Sequence, residues 1–219
     1  MKKEFSQKPD LYEEQWPGEF NTFSWGDYLT AIPSPIFLIT TYKSNRKPNA
    51  CLQSWSTFTG DAGEFICIIG SVSKKGHLYK SLLKTKECVL NFPSADIYDK
   101  CQATIKNNNF EDDEIKKSGL TVEESKTVAA PRIAESFLNI ECEFLWKKDH
   151  FKGANDVVVC LKMKHIAMDE DYYDENKKGR YGKTGYIYNI HSPRNPENGE
   201  IFNTDLGFLI KQQTLNDNN

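Results

Sequence analysis

The chain has 219 residues, 38% of them hydrophobic and 27% charged, with a net charge of −3. That length suits one β-rich domain with a substantial core, and the acidic balance excludes a general nucleic-acid surface, which needs a basic field. No apolar run approaches the ~18 residues that span a bilayer, and no hydrophobic block follows the lysines of MKKEF, so a cytoplasmic protein with no membrane partner is expected.

Residues 1–28 interleave polar positions with Phe5, Tyr12, Trp16, Phe20, Phe23, Trp25 and Tyr28 without a strong period. Such a segment is expected to pack over its own barrel or over a partner subunit. From Ile36 onward strand signals dominate: IFLITTY (36–42), NACLQSWSTF (49–58), EFICIIG (64–70), ECVLNF (87–92), LNIECEFLW (138–146) and DVVVCLKMKHIAM (156–168). Period-2 alternation puts Leu138, Ile140, Cys142, Phe144 and Trp146 on one face, and Val157, Val159, Leu161 and Met163 on another. Half-buried strands of this kind belong to antiparallel sheets or barrels.

Three short helices are predicted among the strands. Over 77–86, Leu78 with Leu82 and Tyr79 with Leu83 have i, i+4 spacing. In SADIYDKCQATIKN, Ser94 is a plausible N-cap, and Ile97, Cys101 and Ile105 form one apolar stripe. In DDEIKKSGL, Asp112 or Asp113 can cap the start and Gly119 the end. Further on, 168–183 reads as a charged, solvated loop, GYIYNIH as a last strand and SPRNPENGE as turns. The sum is a mainly β fold with short helices, one domain over residues 1–219 with extensions at about 1–28 and 186–219.

The six cysteines lack a CxxC pair and lie mostly in apolar segments, as buried reduced thiols do. His150, His165 and His191 lack metal-ligand spacing, so no metal site is expected. Ser-His-Asp order, a convincing Cys-His pair, readable paired carboxylates and a Gly-rich dinucleotide fingerprint are all missing, so no catalytic side chain is assigned.

Two segments carry chemistry instead. NACLQSWSTF is polar for a place between two apolar strands: as one strand it would put Asn49, Cys51, Gln53, Trp55 and Thr57 on one side and Ala50, Leu52, Ser54, Ser56 and Phe58 on the other. Amides and hydroxyls beside an indole suit a flat heteroaromatic ligand with alternating donors and acceptors; the plain alternative is a strand whose polar residues face solvent. SVSKKGHLYK (71–80) runs from a strand end into a helix start. Free N–H groups there, beside Ser73, Lys74, Lys75 and His77, make a seat for a phosphate dianion; its plain alternative is an exposed helix with lysines for solubility. One strand separates the two segments, and a phosphorylated flavin needs both a ring slot and an anion seat.

These residues resemble the FMN-binding split-barrel family, which includes flavin reductases and flavoredoxin. The likeness runs from about Ile32 to Val159 through IPSPIFLITT, KPNACLQSW, SVSKKGHLYKSL, VLNFPS and, most specifically, SGLTVEESKTVAAPRIAESFLNIECEF. It implies a six-stranded Greek-key split barrel, a homodimer with FMN at the interface, and electrons delivered by NAD(P)H or a redox protein. It also implies cofactor contacts at Asn49, Ala50, Gln53, Ser54, Trp55 and Ser56 along the ribityl chain and ring edge. Ser71 and Ser73 would continue around the flavin, and Ser73, Lys75 and His77 would hold its phosphate. Members often carry Arg and Thr where this chain has Lys75 and His77, which keeps the charge and loses the bidentate fork. TGDAGEF also replaces a double proline, and the chain beyond Tyr186 is long for a compact flavin reductase. The alternative in another class is a non-enzymatic barrel that binds a different phosphorylated or heterocyclic ligand.

Overall fold

In the computed structural model, residues 1–9, 24–177, 186–191, 198, 200 and 206–208 are described. Two compact units divide them, Pro35–Ile187 and Met1–Ser34 with Tyr188–Phe208. The smaller unit contains a helix, Trp25–Thr30, started by a capping box: the Ser24 hydroxyl accepts from Gly26 N–H and the Asp27 carboxylate accepts from Ser24 N–H, each at 3.0 Å. In the same unit Ser34 Oγ lies 3.0 Å from His191 Nε2. The expectations for residues 10–23, for 178–183 and for most of SPRNPENGE lie outside the described residues. The segment GYIYNIH does carry a short strand, Ile187–Asn189.

In the larger unit, strands β1 (Phe37–Tyr42), β2 (Pro48–Gln53), β3 (Ser56–Asp61), β4 (Glu64–Ser73), β5 (Glu87–Phe92), β6 (Leu138–Asp149) and β7 (Asp156–Met168) form one sheet. Their order is β2-β1-β5-β6-β7-β4-β3, with every pair antiparallel. The strands at the two ends, β2 and β3, are joined by Ser54 and Trp55 alone. A sheet whose two edges are joined by so short a link has to curl back on itself, which makes it a split barrel. Seven strands stand where six are expected because NACLQSWSTF is not one strand. It breaks at Ser54–Trp55, so its first half closes one edge of the sheet and its second half the other.

The alternation expected along the strands is what fills the barrel. Leu138, Ile140 and Cys142 of β6 and Val157, Val159 and Leu161 of β7 face the interior with Phe37, Ile39, Cys67, Ile69, Cys88, Leu90 and Phe92. The pattern fails at Trp146, which is 45% exposed, because the β6–β7 register shifts between Cys160 and Leu161 and turns the end of β6 outward. Helix α1 (His77–Thr85) adds Leu78 and Leu82 to this core. Helices α2 (Tyr98–Lys106) and α3 (Glu114–Lys117) cover the outside of β1 and β2 through Leu38, Ala50, Ile97, Cys101 and Ile115. Asp113, not Asp112, caps α3, accepting from Lys116 N–H at 3.0 Å, and Gly119 follows at φ +74°, where a side chain would be strained. Ser94 precedes a 3-10 turn without a side-chain cap bond, and Thr104 rather than Ile105 is buried on α2. Five of the six cysteines are buried. Burial raises the pKa of Cys67 and Cys101, so these are inert thiols rather than nucleophiles.

The stretch 119–136 packs on the outer face of the sheet and is fastened by one fully buried carboxylate of β6. Glu141 accepts from Arg132 Nε at 2.9 Å, from Lys126 N–H at 2.9 Å, and from Thr127 N–H and Oγ1, both at 2.6 Å. Burial works against its charge, yet these donors win and hold it down at about 2. Thr40 donates to Pro131 O, and Asn91 and Asn139 tie the backbone of Ile133 to the sheet.

Candidate functional site

The inner face of β2 is polar where the barrel core is otherwise hydrocarbon. Asn49, Cys51 and Gln53 alternate with Ala50 and Leu52, whose side chains pack outward beneath α2 and α3. Cross-strand partners on the inner side are Thr41, Ile39 and Phe37. Asn49 is 2% exposed, yet its Nδ2, like Thr41 Oγ1 and Gln53 Oε1, is buried with no hydrogen-bond partner among the described residues. Unpaired buried polar atoms are costly. Their grouping on one strand pair marks a place built for something other than side-chain packing.

The second segment lies beside the first. The N-cap of helix α1 is Gly76, which offers no side-chain cap, so the helix N-terminus keeps free N–H groups. Lys75 is exposed and makes no ion pair among the described residues, and its own N–H meets Ser73 Oγ at 3.4 Å. Lys74, in contrast, is committed: its ammonium donates to Asp149 at 2.7 Å and to Ala154 O at 2.6 Å.

What joins helix to strand is Glu114 at the start of α3. Its Oε2 accepts from Ala50 N–H on β2 at 2.9 Å, and its Oε1 takes the Lys43 ammonium at 2.9 Å. His77 Nδ1, the first residue of α1, stands 3.5 Å from the same Oε1. Lys43 is saturated by two further acceptors, Asn109 O at 2.9 Å and Asp112 O at 2.7 Å.

On the other side of the split, the Gly70 peptide is pinned from both ends: its N–H donates to Trp55 O at 2.7 Å, and its carbonyl accepts from His150 Nε2. A Cβ at Gly70 would sit 3.4 Å from both Cβ and O of Trp55, in van der Waals contact, so a methyl fits there and a larger side chain would press on Trp55. Ser56 is opposite Ile69, which brings residues 54–56 alongside the end of β4.

The ten sequence-expected site residues thus fall in three settings. Asn49, Ala50 and Ser54 are buried; Gln53, Trp55, Ser56, Ser71 and His77 are half-buried; Ser73 and Lys75 are exposed. Ser71 differs from the rest in that its hydroxyl donates to Asp156, which fixes its proton and leaves only its acceptor side open. Sequence reasoning missed Glu114, Lys43 and Asp156. Glu114 sits in the acidic run DDE, which looks like ordinary helix-start charge, and its partners Ala50 and Lys43 are 64 and 71 residues away. No local signal marks it.

A curled antiparallel barrel with a polar slot at its split and an uncapped, lysine-bearing helix start beside it defines a flavin-type split barrel. The chain belongs to the family of the flavin reductase like domain, whose model matches residues 29–185. This places it among flavin-related oxidoreductases and implies a flavin cofactor. An uncharacterised protein of Aquifex aeolicus (strain VF5) is 32% identical over 158 residues, 69% of this chain and 78% of that one. Among solved structures, the flavoredoxin of Desulfovibrio vulgaris (Miyazaki F) superposes with a TM-score of 0.70 at 16% identity, covering 90% of this chain and 98% of that one. Nitrilotriacetate monooxygenase component B from Bacillus cereus also gives 0.70 at 16% identity, covering 93% and 100%. At such identities the two structures establish the fold. No helix among the described residues is long and apolar enough to cross a membrane.

Proposed function

We propose that this protein is an FMN-binding oxidoreductase, a flavin reductase-like domain that acts as a cytoplasmic homodimer with FMN at the interface. Electrons would come from NAD(P)H or a small redox protein. The observation that carries the reading is the start of α1: uncapped N–H groups and a Lys75 without an ion pair, with His77 linked through Glu114 to the strand whose Asn49 Nδ2 and Gln53 Oε1 lack partners among the described residues. A terminal phosphate with a charge of about −1.5 to −2 suits such a seat better than neutral ligands do. Ser73, Lys75 and His77 would hold the phosphate. Asn49, Ala50, Gln53, Ser54, Trp55 and Ser56 would flank the ribityl chain and ring, with Ser71 beyond them. Once bound, the flavin supplies the redox chemistry; the protein binds it, orients it and limits access to it.

Colour is the first test. Purified protein should absorb in the flavin bands and release FMN, rather than FAD, on denaturation. A colourless protein that ignores added FMN sinks the reading and leaves a barrel for another ligand. Stopped-flow mixing then separates the two electron sources: bleaching of bound flavin by NADH or NADPH within seconds identifies a reductase, and bleaching only by a reduced redox protein identifies a carrier.

A further inference from the structure

Glu114 is 1% exposed and Lys43 4% exposed, so this ion pair is out of water on both sides. A buried pair of that kind is stable only when its hydrogen-bonding capacity is filled. Here the filling is incomplete on one side. Lys43 has three acceptors and Glu114 Oε2 has the Ala50 N–H, but His77 Nδ1 is buried without a hydrogen-bond partner among the described residues while facing Oε1 at 3.5 Å. The ring also meets Phe110 edge-on, with centroids 6.0 Å apart. Nδ1 is therefore the inward nitrogen, and Nε2 is the edge available to a ligand at the helix start.

An anion at Nε2 requires an N–H there. When both ring nitrogens carry protons, Nδ1 needs an acceptor inside the protein, because a buried imidazolium donor without one is costly. Glu114 Oε1 is the carboxylate oxygen in that position. The same carboxylate holds Ala50 N–H, so any shift of Glu114 moves the ring-slot strand and the anion seat together.

We infer that Glu114 is a positioning residue. Through Oε1 it sets the His77 ring with Nδ1–H inward and Nε2 toward the anion, and through Oε2 it fixes β2 at Ala50, with Lys43 as its anchor. The inference rests on the flavin reading above.

The test is a cycle on His77 in two backgrounds. Lys43→Met/Glu114→Gln removes both buried charges together and keeps an amide oxygen for Ala50 N–H, which protects folding. Glu114→Asp, which keeps a charge for Lys43 and withdraws it from the ring, is the second background. In the otherwise unchanged protein His77→Ala should weaken FMN binding about tenfold, and in either background by less than about twofold, because the ring has already lost its support. Equal losses in all backgrounds overturn the inference. Imidazole 15N NMR with inorganic phosphate as the probe gives a readout independent of flavin: a protonated Nδ1 signal for His77 in the unmodified protein, lost or shifted in Glu114→Asp. If the unmodified protein binds no FMN, the flavin reading fails alone, and the ring signal still decides: an Nδ1 resonance identical in both proteins overturns the role of Glu114.

Discussion

Two buried glutamates brace this barrel, and they are finished differently. Glu141 on the outer face is fully supplied, with donors from Arg132, Lys126 and Thr127. Glu114 is clamped by Lys43 and Ala50 and faces a histidine nitrogen that lacks a hydrogen-bond partner among the described residues. The difference separates a brace from a site. A saturated network holds a wrapping segment in place, whereas the Glu114 network still has room for one more hydrogen bond, from the histidine ring at the start of α1.

The most direct way to break the comparison is to remove the brace. Glu141→Ala leaves the buried Arg132 guanidinium with only the exposed Glu123 carboxylate at 3.6 Å, takes the acceptor from the Lys126 and Thr127 N–H groups, and should cost roughly 3–5 kcal/mol in denaturant unfolding. A loss under about 1 kcal/mol would mean that water reaches Arg132 and that the network is not closed.

Acid titration sharpens the same point. Glu141 is depressed from the ordinary 4.5 to about 2, so its contribution is fully present above pH 4.5 and is lost as the pH falls toward 2. On the order of 3 kcal/mol of stability should disappear over that window. A Glu141→Gln protein should show a flatter stability profile there, and an identical slope would assign the acid sensitivity elsewhere.

On the site side, Lys75→Ala with His77→Ala should weaken FMN binding by about 1.5–3 kcal/mol per charged hydrogen bond lost. Unchanged affinity in a flavin-fluorescence titration removes both residues from the phosphate seat. Gly70→Val presses on Trp55 and should cost about 1–3 kcal/mol in stability, with a shift in tryptophan emission; normal emission would mean that the 54–56 link adapts freely. The smallest effect belongs to Lys74→Met. Its exposed pair with Asp149 is worth about 0–1 kcal/mol, and because its ammonium is already committed, FMN affinity should change by less than about twofold. A large loss would place Lys74, not Lys75, at the anion.

The elements legible in the sequence were those whose signal is local. The inward faces of β6 and β7 follow their period-2 alternation up to the register shift. Helix α1 starts at His77 and α3 is capped by an aspartate, as their local patterns require. The resemblance to flavin split barrels carries the family, and the buried braces explain why its most specific stretch is so distinctive: Gly119 takes a positive φ, Pro131 O receives Thr40, and Glu141 closes the network.

The break in NACLQSWSTF was not legible, since nothing in Gln-Ser-Trp-Ser says that one residue ends an edge of the sheet and another begins the opposite edge. Only barrel closure decides that. Composition and periodicity determined a mainly β chain with short helices and the positions of its polar and basic segments, because strand faces and caps depend on neighbours a few residues apart. The tertiary structure alone decided which lysine stays unpaired and which glutamate ties strand to helix. Both outcomes depend on partners 37 to 80 residues away, and at that separation sequence spacing carries no information about distance.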